Sequence, residues 1–497
     1  MRGIVGASGY IPRGRLDLAT IAPVSGSGGG KGVRSVASYD EDTTTMAVEA
    51  GRLALRSVPD IRPDTLWFST VTPAYVDKTN ATAIHAALRL DAGAAAIDLG
   101  GAQRSAIGAL SIALRSTGVQ LVVAADLRTG LPGSSDEAAG GDGAAAVIVG
   151  DTGLIAEFLG GASMTAEFLD RWRTPGDVRS KVWEERFGET KYTALGQRAW
   201  QEALKTAGVE PDTVDRVVIT GLHGRAARAA GGRLKRPIVD DLGIGNTGAA
   251  HPLLLLTAAL ETAAPGETIA LVVLADGADV ALFRATDAIA ARRSPRPVAA
   301  QAQSGADVPY GKFLSWRGVL PTEPPRRPEP ARLSASAAGR SEQWKFGFVA
   351  ARDPGSGDPQ LPPRPSGGEP VPMADVAGTI ATFTVDRLAY SPSPPIVFAI
   401  VDFDGGGRLP VELTDVRPDE VRIGGRVEMT FRKLSTADGI HNYFWKARPV
   451  VPEARKETVV PEARKETVVP EARKETVVPE ARKETVVPEA RKETDVQ

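Results

Sequence analysis

At 497 residues, with 42% hydrophobic side chains, the chain is long enough for two to four ordinary domains and can bury sizeable cores, which excludes a wholly disordered protein. Its 59 Lys and Arg against 61 Asp and Glu give a formal charge of -2, a balance that argues against a dedicated nucleic-acid binder. The count of 0 Cys excludes disulfides, thiolate-held zinc or iron–sulfur clusters, and any acyl-cysteine intermediate.

The N-terminus runs into Pro12 and charged residues instead of a long apolar stretch, and nothing approaches the ~20 apolar residues of a membrane span. The expectation is a cytoplasmic protein without membrane contact. Gly26 to Lys31 suggests a phosphate loop, but Gly32 stands where that motif needs Ser or Thr, so the stretch reads as a flexible loop. Over residues 1–288, short apolar runs beginning at Thr65, Leu121, Ala144, Val217 and Ile269 alternate with Ala-rich helical stretches, the pattern of a layered α/β domain. Two halves look related: Gly141 to Ala144 opens a strand in the first, and Asp276 to Asp279 precedes one in the second.

Residues 289–342 turn to Pro, Arg, Ala and Ser and read as an extended linker with anchoring elements. Residues 343–449 carry β-formers from Ala377, Ile396 and Arg426, separated by Pro- and Gly-containing turns, and read as a small β-barrel. From 450 to 497 a nine-residue unit repeats. With a Pro and four charges per unit it cannot stack a core, so a solvated, disordered tail is expected.

The segment from Asp98 to Leu110 resembles, without a gap, the nucleophile turn of ketosynthase III and hydroxymethylglutaryl-CoA synthase enzymes, with Gln103 where those families place cysteine. The resemblance implies a duplicated five-layer αβαβα thiolase-like fold, an α/β architecture, whose nucleophile sits at a helix N-terminus favouring a thiolate or a developing oxyanion. His223 and Asn246 follow in the order of that family's His and Asn, and an imidazole and a carboxamide can both donate to a thioester carbonyl as it becomes an enolate. On the bland reading His223 is a structural histidine and Asn246 a turn residue. Gln103 can hydrogen-bond but cannot carry an acyl group. Loading ketosynthases of polyketide pathways also carry glutamine for cysteine and decarboxylate, whereas a degenerate, noncatalytic subunit is the other reading. Ser105 is a further candidate nucleophile if a base lies within reach.

In the stretch Thr72 to Lys78, Pro73 replaces the general-acid glutamate that hydroxymethylglutaryl-CoA synthases place there, which puts formation of that product in doubt. Tyr75 could act instead as a phenolic acid or base, as in thiolase-like steroid side-chain aldolases. Asp402 to Arg408 and Asn442 to Ala447 resemble the OB-fold domains that accompany acyl-CoA enzymes of this superfamily. Those domains carry a zinc ribbon ahead of the barrel. Residues 348–374 lack its thiols, so that segment is expected to be lost or reduced to an ordinary loop, with no metal bound. Taken together, the resemblance implies an enzyme that makes or breaks a C–C bond, or decarboxylates, on a CoA or phosphopantetheine thioester. Acyl-CoA or acyl carrier protein is the expected partner, with no tightly bound cofactor and a homodimer as the assembly. The rival is a noncatalytic acyl-thioester-binding or scaffolding protein.

Overall fold

Each apolar run of the first part is bounded by turn residues and is long enough for one pass through a sheet buried on both faces, so it folds as a strand. A computed structural model describes residues 1–232, 242–364 and 367–450, and the repeat units from 451 on lie outside the described residues. Nine strands form one mixed sheet in the order Arg216–Gly221, Thr268–Leu274, Gly277–Ala285, Ala156–Thr165, Gly3–Tyr10, Gly143–Gly150, Gln120–Asp126, Thr65–Ser69 and Ala95–Asp98. The five apolar runs picked out in the sequence are all among them.

The duplication is visible in the pairing. Thr65–Ser69 lies parallel to Gln120–Asp126, which turns back antiparallel into Gly143–Gly150. Arg216–Gly221, Thr268–Leu274 and Gly277–Ala285 repeat that arrangement. The halves join where Gly3 and Ile4 pair with Glu157 and Ala156. Along Gln120–Asp126, Leu121 and Val123 face one core while Val122 and Ala124 face another, as the two-residue period of a strand requires.

Helices Arg104–Ala113 and His251–Thr262 fill the space between the halves, and the second is buried along most of its length, with a leucine run from Leu253 to Leu256. Thr43–Arg56 covers the outside of the first half, started by a capping box in which Asp42 accepts from the Thr45 N–H at 2.9 Å. Glu185–Ala207 covers the outside of the second half and stops at Gly208, whose φ of 63° suits glycine. Helix, sheet, helix pair, sheet and helix make the five layers.

Much of the segment read as linker belongs to this body. Val298 packs beside Leu254, Ala306–Asp307 runs parallel to Gly14–Asp17, and Tyr310, Phe313 and Leu314 pack with Leu16, Ile21 and Val36. A few aromatic and branched anchors override a Pro- and Arg-rich composition. The segment read as a lost ribbon also differs from the expected loop. Val349–Arg352 pairs with both Pro359–Gln360 and Pro370–Pro372 in a small antiparallel sheet. The Asp353 carboxylate accepts from the Gly355 and Ser356 N–H groups at its turn, and buried Phe348 stacks on Trp445 at its base, so packing holds a sheet without thiols.

Gly378–Asp386, Ile396–Phe403, Arg408–Leu413, Ile440–Pro449 and Arg426–Ala437 close into a five-stranded barrel around Val401, Met429, Phe431 and Trp445. It meets the first body through buried charge. Arg432 reaches Glu41 at 3.0 Å, Lys446 reaches Asp40 at 3.0 Å and Arg448 reaches Glu49 at 2.8 Å. Tyr443 also donates to Asp42 at 2.7 Å.

Candidate active site

Gln103 stands at the start of helix Arg104–Ala113, just past the edge strand Ala95–Asp98 and a turn in which Gly101 takes φ of 98°. Its side chain is buried, and its Nε2 donates to the Gly248 carbonyl at 3.2 Å. Gly248 also serves Asn246: its N–H donates to Asn246 Oδ1 at 2.9 Å, while Asn246 Nδ2 donates to the Gly221 carbonyl at 3.3 Å. One residue thus joins the two carboxamides, and Gly221 lies two residues before His223.

The sequence reading missed the group that fixes this turn. Asp126 ends an otherwise apolar strand, fully buried, with Oδ1 accepting from Thr70 Oγ1 at 2.8 Å and Val71 N at 2.7 Å, and Oδ2 accepting from Ala249 N at 2.6 Å. Gly248, at φ of 61°, presses its α-carbon against that carboxylate, and a Cβ there would stand 2.1 Å from Oδ2. Burial pushes the Asp126 carboxyl above its ordinary value, against the pull of Arg128 and the backbone donors. A carboxylate closing an all-apolar run was the available signal. The helix start is tied to the second half by Arg104, which reaches Asp279 at 2.8 Å and donates to the Asp276 carbonyl at 2.8 Å.

His223 is committed elsewhere in this state. Its Nδ1 accepts from the Ala226 N–H at 3.1 Å, capping helix Gly224–Gly231, and its Nε2 lies 2.8 Å from the Glu185 carbonyl. Those partners put the proton on Nε2. Tyr192 packs edge-on against the ring at 5.8 Å. Ser105 is half-buried, and its Oγ accepts from the Ala102 N–H at 3.4 Å; among the described residues no imidazole or carboxylate hydrogen-bonds it, so nothing there makes it a nucleophile.

Tyr75 belongs to a different place. Its hydroxyl accepts from the His441 N–H at 2.7 Å and its ring lies 5.2 Å from the His441 ring, at the seam between the first body and the barrel. Gln103 and Asn246 are therefore brought together, with His223 anchored nearby in sequence to the same Gly221 strand end, while Tyr75 faces the barrel. Among the described residues no group of three His, Cys, Asp or Glu side chains forms a metal cluster, and no helix is long and apolar enough to cross a membrane.

Comparison with known proteins gives concordant findings for both parts. Residues 370–432 match the family of the ChsH2 C-terminal OB-fold domain. The hydroxymethylglutaryl-CoA synthase of Methanopyrus kandleri is 30% identical over 343 residues, covering 64% of this chain and 97% of that protein. That of Aeropyrum pernix is 29% identical over 341 residues, covering 64% and 94%. Among solved structures, an HMG-CoA synthase complexed with CoA superposes with a TM-score of 0.55 at 16% identity, covering 67% of this chain and 95% of that one. The curacin-pathway HMG synthase in complex with holo donor-ACP gives 0.53 at 19%, covering 63% and 88%. At these identities the structural likeness speaks for the thiolase-like fold.

Proposed function

Because the chain belongs to the hydroxymethylglutaryl-CoA synthase family, we propose that it is a condensing-type enzyme that works on an acyl thioester of CoA or carrier protein through an enolate, with no acyl-enzyme. Gln103 at the nucleophile turn carries this reading. It keeps a hydrogen-bonding group at a helix N-terminus and removes the only atom that could hold an acyl group.

With a malonyl thioester the step balances without a cofactor. The bond from the α-carbon to the carboxylate breaks, carbon dioxide leaves, and the electron pair passes into the thioester enolate. A proton delivered to the α-carbon gives the acetyl thioester, or an electrophilic carbonyl takes its place and a C–C bond forms. Donors aimed at the enolate oxygen lower that barrier, one such donor being worth about 10²–10³ in rate. The helix start offers N–H groups, and His223, protonated on Nε2, supplies a further donor once its ring leaves the Glu185 carbonyl. CoA and phosphopantetheine present the same thiol, so either carrier suits the chemistry.

The same elements support a homodimer. Among the described residues Ala95–Asp98 is an edge strand with its outer side unpaired and Ile97 exposed, and it leads directly into the Gln103 turn. A second copy pairing there would cover that edge.

A noncatalytic thioester-binding role is the second reading, favoured by one observation: Gln103 Nε2, both amide atoms of Asn246 and both ring nitrogens of His223 are spent on backbone groups. Incubation with malonyl-, acetoacetyl- and β-hydroxyacyl-thioesters, followed by mass spectrometry, separates the two. Turnover of one of them supports the enzyme, and tight binding without turnover of any supports the binder. The Gln103→Cys variant tests the site itself. A thiol at this helix start should take one acyl group from a reactive acyl-CoA. A thiol that alkylating reagents reach but acyl-CoA does not would mean that thioesters are not delivered to this turn.

A further inference from the structure

A cavity of about 540 Å³ lies at the seam where Tyr75 meets the barrel, well within the size of small-molecule sites. Four distant segments wall it: Thr44, the loop and helix from Tyr75 to Ala86, the stretch from Leu333 to Phe346, and the barrel hairpin at Ile440 to Tyr443. Small residues make up much of its wall. Ala83, Ala86, Ala338 and Gly339 face one another across it, with Phe346 and Ile440 closing the apolar lining.

The charge on that wall is lopsided. Lys78 and Glu342 are exposed, and Lys78 spends its ammonium on Thr79 and Thr82. Lys345 is buried, with 9% of its surface exposed, and its Nζ has one hydrogen bond, to Asn442 Oδ1 at 2.5 Å. Among the described residues no carboxylate forms an ion pair with it, whereas Arg432, Lys446 and Arg448, the barrel's other buried cations, each have at least two. Burial alone pushes the Lys345 ammonium down to about 8. A buried cation is ordinarily paired, because an isolated one is costly. Across the cavity the Tyr75 hydroxyl accepts from His441 and gives its own proton to no described residue.

We propose that this cavity binds a monocarboxylate with an apolar body, its carboxylate on Lys345 and its hydrocarbon against the alanine-lined walls. One buried cation matches one negative charge. At about 30 Å³ per heavy atom, the share a water takes in the liquid, the space corresponds to on the order of eighteen heavy atoms. A medium-chain fatty acid fits that space. The site is separate from the Gln103 turn, and occupancy would bridge the first body, the connecting segment and the barrel.

The test uses the full chain and calorimetric titration with decanoate and with decanol, both below their aggregation concentrations. Decanoate should bind with one site per chain and at least about tenfold more tightly than decanol, the factor expected from one charge-assisted hydrogen bond. Lys345→Met should remove that preference by weakening decanoate alone. Ala338→Trp, which fills the cavity from an exposed helix, should abolish binding of both. Absence of decanoate binding, equal affinity for the two ligands, an unchanged preference in Lys345→Met, or intact binding in Ala338→Trp would each overturn the proposal.

Discussion

Replacing Lys446 by methionine is expected to cost far more than its position on a small barrel suggests. Lys446 Nζ lies 3.0 Å from Asp40 Oδ2 and 2.7 Å from Glu412 Oε2, with Lys446 and Asp40 both enclosed. Without it, Asp40 keeps the Thr414 hydroxyl at 2.9 Å and Arg432 Nε at 3.9 Å, too little for a carboxylate out of water. Removing one partner of a buried pair costs about 3–5 kcal/mol. An unfolding entropy of about 2.1 cal/mol/K per residue over the compact unit makes one degree of melting temperature worth about 1 kcal/mol, so the midpoint should fall by about 3–5 °C. Burial pushes the Asp40 carboxyl up, but Lys446 and Arg432 outweigh it and hold it below the usual range. A depressed carboxylate stabilises the protein above its unfolded pKa and loses that contribution as pH falls through the folded value. In Lys446→Met the cation is gone and protonation relieves the orphaned charge, so the gap between variant and wild type should narrow from about pH 7 to about pH 4. Differential scanning calorimetry reads both effects, and Asp40→Asn added to Lys446→Met should recover at least half of the loss. A fall of under about 1 °C at neutral pH, or a double variant no better than the single, would refute the reasoning.

Glu261 is pushed up to about 7 by burial, with one oxygen held by the Val298 N–H at 2.8 Å and the other without a partner among the described residues. A raised carboxyl contributes stability that is present below its unfolded pKa and lost as pH rises through the folded value, so the melting temperature should decline between about pH 5 and about pH 8. Glu261→Gln should flatten that decline in a thermal melt series. Gly248→Ala should cost at least about 1–2 kcal/mol from the left-handed backbone alone and, in the Gln103→Cys background, abolish the acyl adduct in mass spectra by pushing the turn off Asp126. Tyr75→Phe removes the acceptor of a half-buried N–H and should cost about 0.5–1.5 kcal/mol. It should leave acylation of Gln103→Cys unchanged, and a slowed adduct would instead draw Tyr75 into the reaction.

The parts of this fold that rest on local pattern were legible. Apolar runs bounded by turns became strands, and the Gln103 turn was visible because one substitution sat inside an otherwise familiar segment. What stayed hidden was pairing over long separations. Asp40, Glu41 and Asp42 went unremarked, because nothing nearby in sequence shows that barrel side chains bury them. Tyr310, Phe313 and Leu314 were obscured by the Pro and Arg around them. His223 was placed correctly after its strand, but its ring direction is set by Glu185, in a helix that the sequence gives no reason to bring close. Asp126 was legible in principle, since a charge that ends a buried strand must find donors, and those donors came from two distant loops.

The ionic seam also sets a timetable for synthesis. Glu49 and Arg448, 2.8 Å apart in the finished molecule, are separated by 399 residues of chain. At about 5–20 residues per second, Glu49 emerges from the ribosome about 20–80 seconds before Arg448, its partner in the barrel. Throughout that interval the nascent first body presents a carboxylate face destined for burial, and it cannot complete its outer surface however early its own sheet forms. A chain that terminates before the last barrel strand keeps Arg432 for Glu41 but lacks Lys446 and Arg448, so Asp40 and Glu49 go without their closest barrel partners.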